Sequence, residues 1–130
     1  MKKIAVILGC LCLVVMLLSA TSNDDTMVKE NGVYIVNTTK IGKDVMGYEG
    51  PTPLKVYIKN GKIQKIEFLD NHETPRFWAA AVNHLQNKWN GMTVAQVKST
   101  QVDGRTGATF SSDAIKQNVR LAVEYYEQHK

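Results

Sequence analysis

Residues 4–20 are almost continuously apolar, behind Lys2 and Lys3 and ahead of a polar, acidic stretch over residues 21–26. A basic start, an apolar run and the small residues Ser19-Ala20-Thr21 make the pattern of an export signal, so residues 1–20 stand apart from the fold. The run is about 17 residues long, which also reaches the lower limit for a membrane-spanning anchor. Residues 21–32 read as a polar tether, and residues 33–130 as the folded domain.

Within that domain the apolar period alternates between two and that of a helix. Residues 33–38 (Val-Tyr-Ile-Val-Asn-Thr) are rich in β-branched and aromatic types and predict a first strand. Three glycines over residues 42–50 mark a turn-rich approach to the next. Leu54-Lys55-Val56-Tyr57-Ile58 alternates, Asn60-Gly61 signals a two-residue hairpin, and residues 62–69 return as a strand. Ile63 is out of phase with Ile66 and Phe68, so the return strand either carries a bulge or is covered on both faces. After Asn71-His72-Glu73, Thr74 suits an N-cap with Pro75 in the first helical turn. Phe77, Trp78, Ala81, Val82, Leu85 and Trp89 then form an apolar stripe that ends before Gly91. Thr93-Val94-Ala95-Gln96 fits a capping box ahead of a short helix. Ile115, Val119, Ala122, Val123 and Tyr126 recur at helical spacing behind Ser111 or Ser112 as N-cap, with Asp113 suited to the first turn. The expected fold is α+β: a small antiparallel sheet around a central hairpin, packed by two main helices.

Composition narrows the function classes. The formal charge is +4, of which Lys2 and Lys3 contribute two, and no basic stripe with interleaved aromatics appears, which sets nucleic-acid binding aside. Both cysteines, Cys10 and Cys12, lie in the apolar segment, so an exported body has no thiol for disulfide, metal or redox chemistry. Leu8-Gly9-Cys10 looks like the end of a lipoprotein box, but the apolar stretch ahead of it is shorter than the roughly 7 to 15 residues of such a signal. About 110 residues remain after residue 20, enough for one domain with a single core.

Candidate chemistry concentrates in Asp103-Gly104-Arg105-Thr106-Gly107-Ala108-Thr109, just ahead of the last helix. The first N–H groups of a helix lack intrahelical partners and its dipole favours negative charge there, so a phosphate on Thr109 would sit in an anion-friendly position. Gly107 provides a tight turn and Ala108 leaves the approach open. Read from the residues alone, the stretch is equally a glycine-containing turn capped by serine. It resembles the Asp-x-x-(Ser/Thr)-Gly-Ala-Thr signature of the FMN-binding domain family, which includes the flavin-carrying subunits of membrane ion-pumping NADH:quinone and ferredoxin oxidoreductases. Asn71-His72-Glu73-Thr74-Pro75 resembles a His-x-Glu-Thr-Pro type loop of the same family, and Gly47-Tyr48-Glu49-Gly50 and Asn60-Gly61-Lys62-Ile63 are similar to its pattern as well. The loop departs from the family in having Arg76 after the proline and His72 directly before Glu73.

The resemblance implies an FMN joined to Thr109 by a phosphoester, placed there by a separate flavin transferase that uses FAD as donor. It implies a cofactor site that includes Asp103, Thr106, Gly107, Ala108, Ser111 and Ser112, with His72, Glu73 and Thr74 as further candidates. For the loop, a strand-to-helix turn in which Thr74 caps and Glu73 bonds nearby backbone stands beside direct flavin contact. His72-Glu73 lacks the clustered ligands of a metal site, and Trp78, Trp89, Tyr125 and Tyr126, at helical spacing, read as core. No set of nucleophile, acid and base stands out. The expected role is therefore an exported electron carrier, periplasmic or elsewhere in the cell envelope, with redox proteins, some of them membrane-bound, as partners. Two alternatives are a binding or structural module of the same fold that holds FMN weakly or not at all, and one part of a multi-subunit reductase.

Overall fold

The computed structural model describes residues 25–102 and 109–130. Four strands, β1 (Met27–Glu30), β2 (Val33–Asn37), β3 (Leu54–Lys59) and β4 (Lys62–Phe68), form one antiparallel sheet in the order β1-β2-β3-β4. Three helices follow among the described residues: α1 (Pro75–Leu85), α2 (Val94–Ser99) and α3 (Thr109–His129). The architecture is α+β, as the apolar periods predict.

Both hairpins turn on the same dipeptide. Asn60 and Gly61 have φ of 54° and 74°, and Asn31 and Gly32 have 51° and 80°, the doubly left-handed geometry that matches the twist of the flanking strands. The second of these turns alters the expected organisation. It folds residues 27–30, inside the stretch assigned to a tether, back onto β2 as an edge strand, with Glu30 opposite Val33 and Met27 opposite Val36. The out-of-phase Ile63 is explained by a bulge: Ile58 faces Ile63 but Tyr57 faces Lys65, leaving Gln64 without an opposite residue. Ile63 and Ile66 are thereby both buried.

One face of the sheet carries the core. Val36, Leu54, Val56, Ile58, Ile63 and Ile66 meet Ala81 and Leu85 of α1, Val94 and Val97 of α2, and Ile115, Val119, Ala122, Val123 and Tyr126 of α3. The last helix crosses β2 and β3, and α1 and α2 pack against it. Tyr34 meets Tyr126 edge to face at 5.1 Å. Residues 91–94 run beside the start of β4, with Ile63 N–H donating to Met92 O and Gly91 N–H to Ile63 O at 2.8 Å each, so that edge is partly covered.

The capping box at α2 forms in full: Gln96 N–H donates to Thr93 Oγ1 at 3.1 Å and Thr93 N–H to Gln96 Oε1 at 2.9 Å. Two helix limits differ from the pattern. The first helix ends at Leu85, and Trp89 reaches the core from the following turn; Phe77, on the flank of the stripe, is exposed. The last helix already includes Thr109, so Ser111 and Ser112 lie inside its first turn instead of capping it, and no acidic residue lies in that turn. Residues 1–24, with the apolar run, are outside the described residues. Among the described residues no helix is long and apolar enough to cross a membrane.

Candidate functional site

Three segments far apart in sequence meet at one carboxylate. Glu73, in the loop between β4 and α1, is 6% exposed. Its Oε1 accepts from the backbone N–H of Tyr48 at 2.8 Å and from Ser111 Oγ–H at 2.6 Å, and its Oε2 accepts a short bond from the backbone N–H of Glu49. A carboxylate accepts only, and charge-assisted bonds of this type are the stronger class, so three donors compensate its removal from water. The 47–50 turn, the 71–75 loop and the start of α3 are fastened together as a result.

Each partner is prepared locally. Asn71 Oδ1 accepts from Glu73 N–H at 2.9 Å and fixes the loop that carries the carboxylate. Gly47 N–H donates to Gly50 O at 2.8 Å, and Met46 bridges to Pro51, so the Tyr48-Glu49 tip is held open to Glu73. Position 47 admits no side chain: a Cβ there would lie 2.0 Å from Glu73 Oε1 and 2.8 Å from its Cδ. The glycine in Gly47-Tyr48-Glu49-Gly50 is thus required by the approach of the carboxylate.

Thr109 is the first residue of α3, exposed, two positions ahead of the Ser111 that is bonded to Glu73. Ser111 and Ser112 are both buried. In the loop, His72 is exposed while Glu73 points inward; Thr74 occupies the N-cap of α1 with extended backbone but makes no side-chain capping bond. Asp103, Thr106, Gly107 and Ala108 lie outside the described residues. The strand-to-helix turn expected for the loop is present, but the backbone that Glu73 binds is 24 and 25 residues away. Among the described residues, no group of three or more His, Cys, Asp and Glu could hold a metal ion.

Two aromatic residues here are not among the site residues expected from the sequence, although Tyr48 lies in a segment similar to the family's pattern. The rings of Tyr48 and Phe110 lie 5.9 Å apart, inclined by 40°, and are 65% and 63% exposed. The aromatics that the helical spacing assigns to the core are, by contrast, buried or half-buried: Trp89 and Tyr126 are buried, Trp78 packs edge to face on Phe68 at 5.7 Å, and Tyr125 stacks on His129 at 3.8 Å. The residues present fit a flavin phosphate: an exposed hydroxyl in the first turn of a 21-residue helix, with an exposed aromatic surface next to it.

No curated protein matches the chain. A family model described as an FMN-binding domain matches residues 47–124, more than half of the sequence. That span opens on the glycine that admits Glu73 and takes in the whole clamp and Thr109, and on this match the chain belongs to the FMN-binding domain family.

Proposed function

We propose that this chain is an exported electron-transfer module that carries FMN esterified to Thr109. The observation that carries the reading is the placement of Thr109: an exposed hydroxyl in the first turn of α3, with that turn anchored through Ser111 to the Glu73 clamp. Anchoring matters because a hydroxyl that accepts a phosphoryl group must be presented to another protein in a fixed geometry. In the transfer, Thr109 Oγ forms a bond to the FMN-side phosphorus of FAD, AMP leaves with the electrons of the broken P–O bond, and the hydroxyl proton passes to a base of the transferase. Bound FMN supplies one- and two-electron chemistry. The protein's own tasks are to hold the phosphate at the positive end of α3 and to keep the cofactor from dilution. A covalent tether does the second, keeping the flavin at an effective concentration on the order of millimolar beside its site whatever its intrinsic affinity.

Export through residues 1–20, by a cleaved signal or an anchor over residues 4–20, makes that tether useful, since a loosely held cofactor outside the cytoplasm is lost. The partners on this reading are a flavin transferase for maturation and redox proteins, some of them in the membrane. The test is to co-express the full chain with a flavin transferase and measure intact mass. The expected result is the addition of one FMN with loss of water, absent in Thr109→Ala; an unmodified chain under these conditions overturns the reading.

A further inference from the structure

Tyr48 and Phe110 are the part of this surface that folding leaves unexplained. They form an aromatic pair in water; Val28, Met46 and Phe77 are exposed as well, while the buried large apolar groups among the described residues cluster in one core. A patch of this kind marks a surface that something covers. Its position indicates the occupant. Phe110 directly follows Thr109, and Tyr48 sits on the turn whose backbone is bonded to the same carboxylate as Ser111.

We infer that the Tyr48 and Phe110 rings form the seat of the flavin's isoalloxazine ring, and that Glu73 is the positioning residue that sets the two rings against each other. The inference rests on FMN attachment at Thr109, which confines the ring system to the neighbourhood of Phe110. Isoalloxazine is flat, with apolar faces and a polar edge, and aromatic faces hold such a group in offset or tilted contact. A sandwich between the two side chains would need roughly 7 Å between parallel rings, twice the carbon contact distance of about 3.5 Å. At 5.9 Å and 40° there is no room for it. The flavin therefore stacks on the outer face of one ring, with the other against its edge. Glu73 fixes this arrangement through one backbone and one side-chain donor: it holds the Tyr48 N–H directly, and Phe110 through the neighbouring Ser111 hydroxyl.

A phenol stacked on a flavin passes an electron to the excited ring and takes it back without emission, so stacking is read as quenched fluorescence. The full chain, loaded with FMN by co-expressed transferase and checked by intact mass, is compared with Tyr48→Leu, Phe110→Leu, the double variant and Glu73→Gln. Unfolded loaded chain serves as the unquenched reference, and circular dichroism reports folding. The expected result is a short flavin lifetime in the native chain that lengthens several-fold in Tyr48→Leu. Phe110→Leu lowers the fluorescence anisotropy, and Glu73→Gln gives an intermediate lifetime while remaining loaded and folded. Loaded, folded Tyr48→Leu and double variants with the native lifetime and anisotropy overturn the seat while leaving Thr109 attachment intact. If the native chain carries no FMN, the attachment reading fails on its own. Added free FMN then tests the seat: quenching by the native chain and none by the double variant supports it, and equal behaviour of the two overturns it.

Discussion

A double-mutant cycle on Gly47 and Glu73 tests whether the carboxylate clamps three segments as its geometry requires. Glu73→Ala removes three hydrogen bonds to a charged acceptor. Bonds of this class contribute about 1.5–3 kcal/mol each, and a buried donor left without a partner costs about 1–3 kcal/mol. Tyr48 and Glu49 are exposed residues whose N–H groups can turn to water, and the Ser111 hydroxyl can rotate, so the sum falls well short of three full bonds. About 3 kcal/mol is expected, a large share of a domain's total of roughly 5–15 kcal/mol. Gly47→Ala places a methyl carbon 2.0 Å from Glu73 Oε1, and displacing a group held by three partners should cost about 2 kcal/mol.

These two costs must not add. With the carboxylate gone, the contacts at 2.0 and 2.8 Å disappear, and of the three nearest atoms Thr52 Cγ2 remains, at 3.1 Å. Alanine at 47 is then close to neutral, because the restriction it places on the unfolded chain favours folding by about 0.4–1 kcal/mol. The double variant should therefore be about as stable as Glu73→Ala alone, an interaction of about −2 kcal/mol in the cycle. Urea unfolding of the full chain and its three variants at one pH measures it. Additivity within about 0.5 kcal/mol would refute the close approach on which the clamp depends.

Other expectations follow from single contacts. Gly42→Ala would bring a Cβ within 2.1 Å of the buried Asn118 Oδ1 and 2.9 Å of Thr38 O, and should lower stability by about 2 kcal/mol in the same urea assay. Thr93→Ala breaks the capping box of α2 and should cost about 1 kcal/mol, seen as a lower thermal midpoint. Tyr57 donates to Glu67 at 2.7 Å, and this bond, more than its slight burial or the nearby negative charge, raises its phenol pKa above the ordinary 10.0. The folded state then holds that proton more tightly than the unfolded chain, so this contribution to stability is complete below pH 10 and is lost as pH rises through the folded value. Urea midpoints taken across that range should decline more steeply in the native chain than in Tyr57→Phe.

The local parts of the fold were legible because they depend on local chemistry. Asn60-Gly61 specifies a hairpin, Thr93 and Gln96 a capping box, and the spacing from Ile115 to Tyr126 a buried helix face, each through bonds or burial within a few residues. Strand β1 escaped notice although Asn31-Gly32 is the same turn signal, because most of Met27–Glu30 faces solvent at a sheet edge and leaves no apolar alternation to read. Trp89 extended the apparent stripe of α1 because burial alone does not distinguish a helix from the turn behind it. At the site, Ser111 has the composition of a cap, but its hydroxyl is bonded to a residue 38 positions away. Tyr48 and Phe110 are likewise brought together only by the fold.

The same long-range contacts bear on what Glu73 can do for a flavin. The resemblance of the His72-Glu73-Thr74-Pro75 loop invites a direct contact, yet the carboxylate is almost wholly buried and takes two donors on one oxygen and one on the other. A buried anion beside the first turn of α3 is also favoured by the helix dipole that would favour a phosphate there. Two anions at one helix end would repel, and with the Glu73 carboxylate turned inward onto its own three donors, the exposed Thr109 side of the turn is where a phosphate would lie. Two of the segments that resemble the family, the 47–50 turn and the 71–75 loop, are thus parts of one device. The glycine turn supplies backbone donors, the loop supplies the carboxylate that collects them, and the serine of the last helix joins the same carboxylate, so that the start of the helix that carries Thr109 is held by a buried group that faces its own donors.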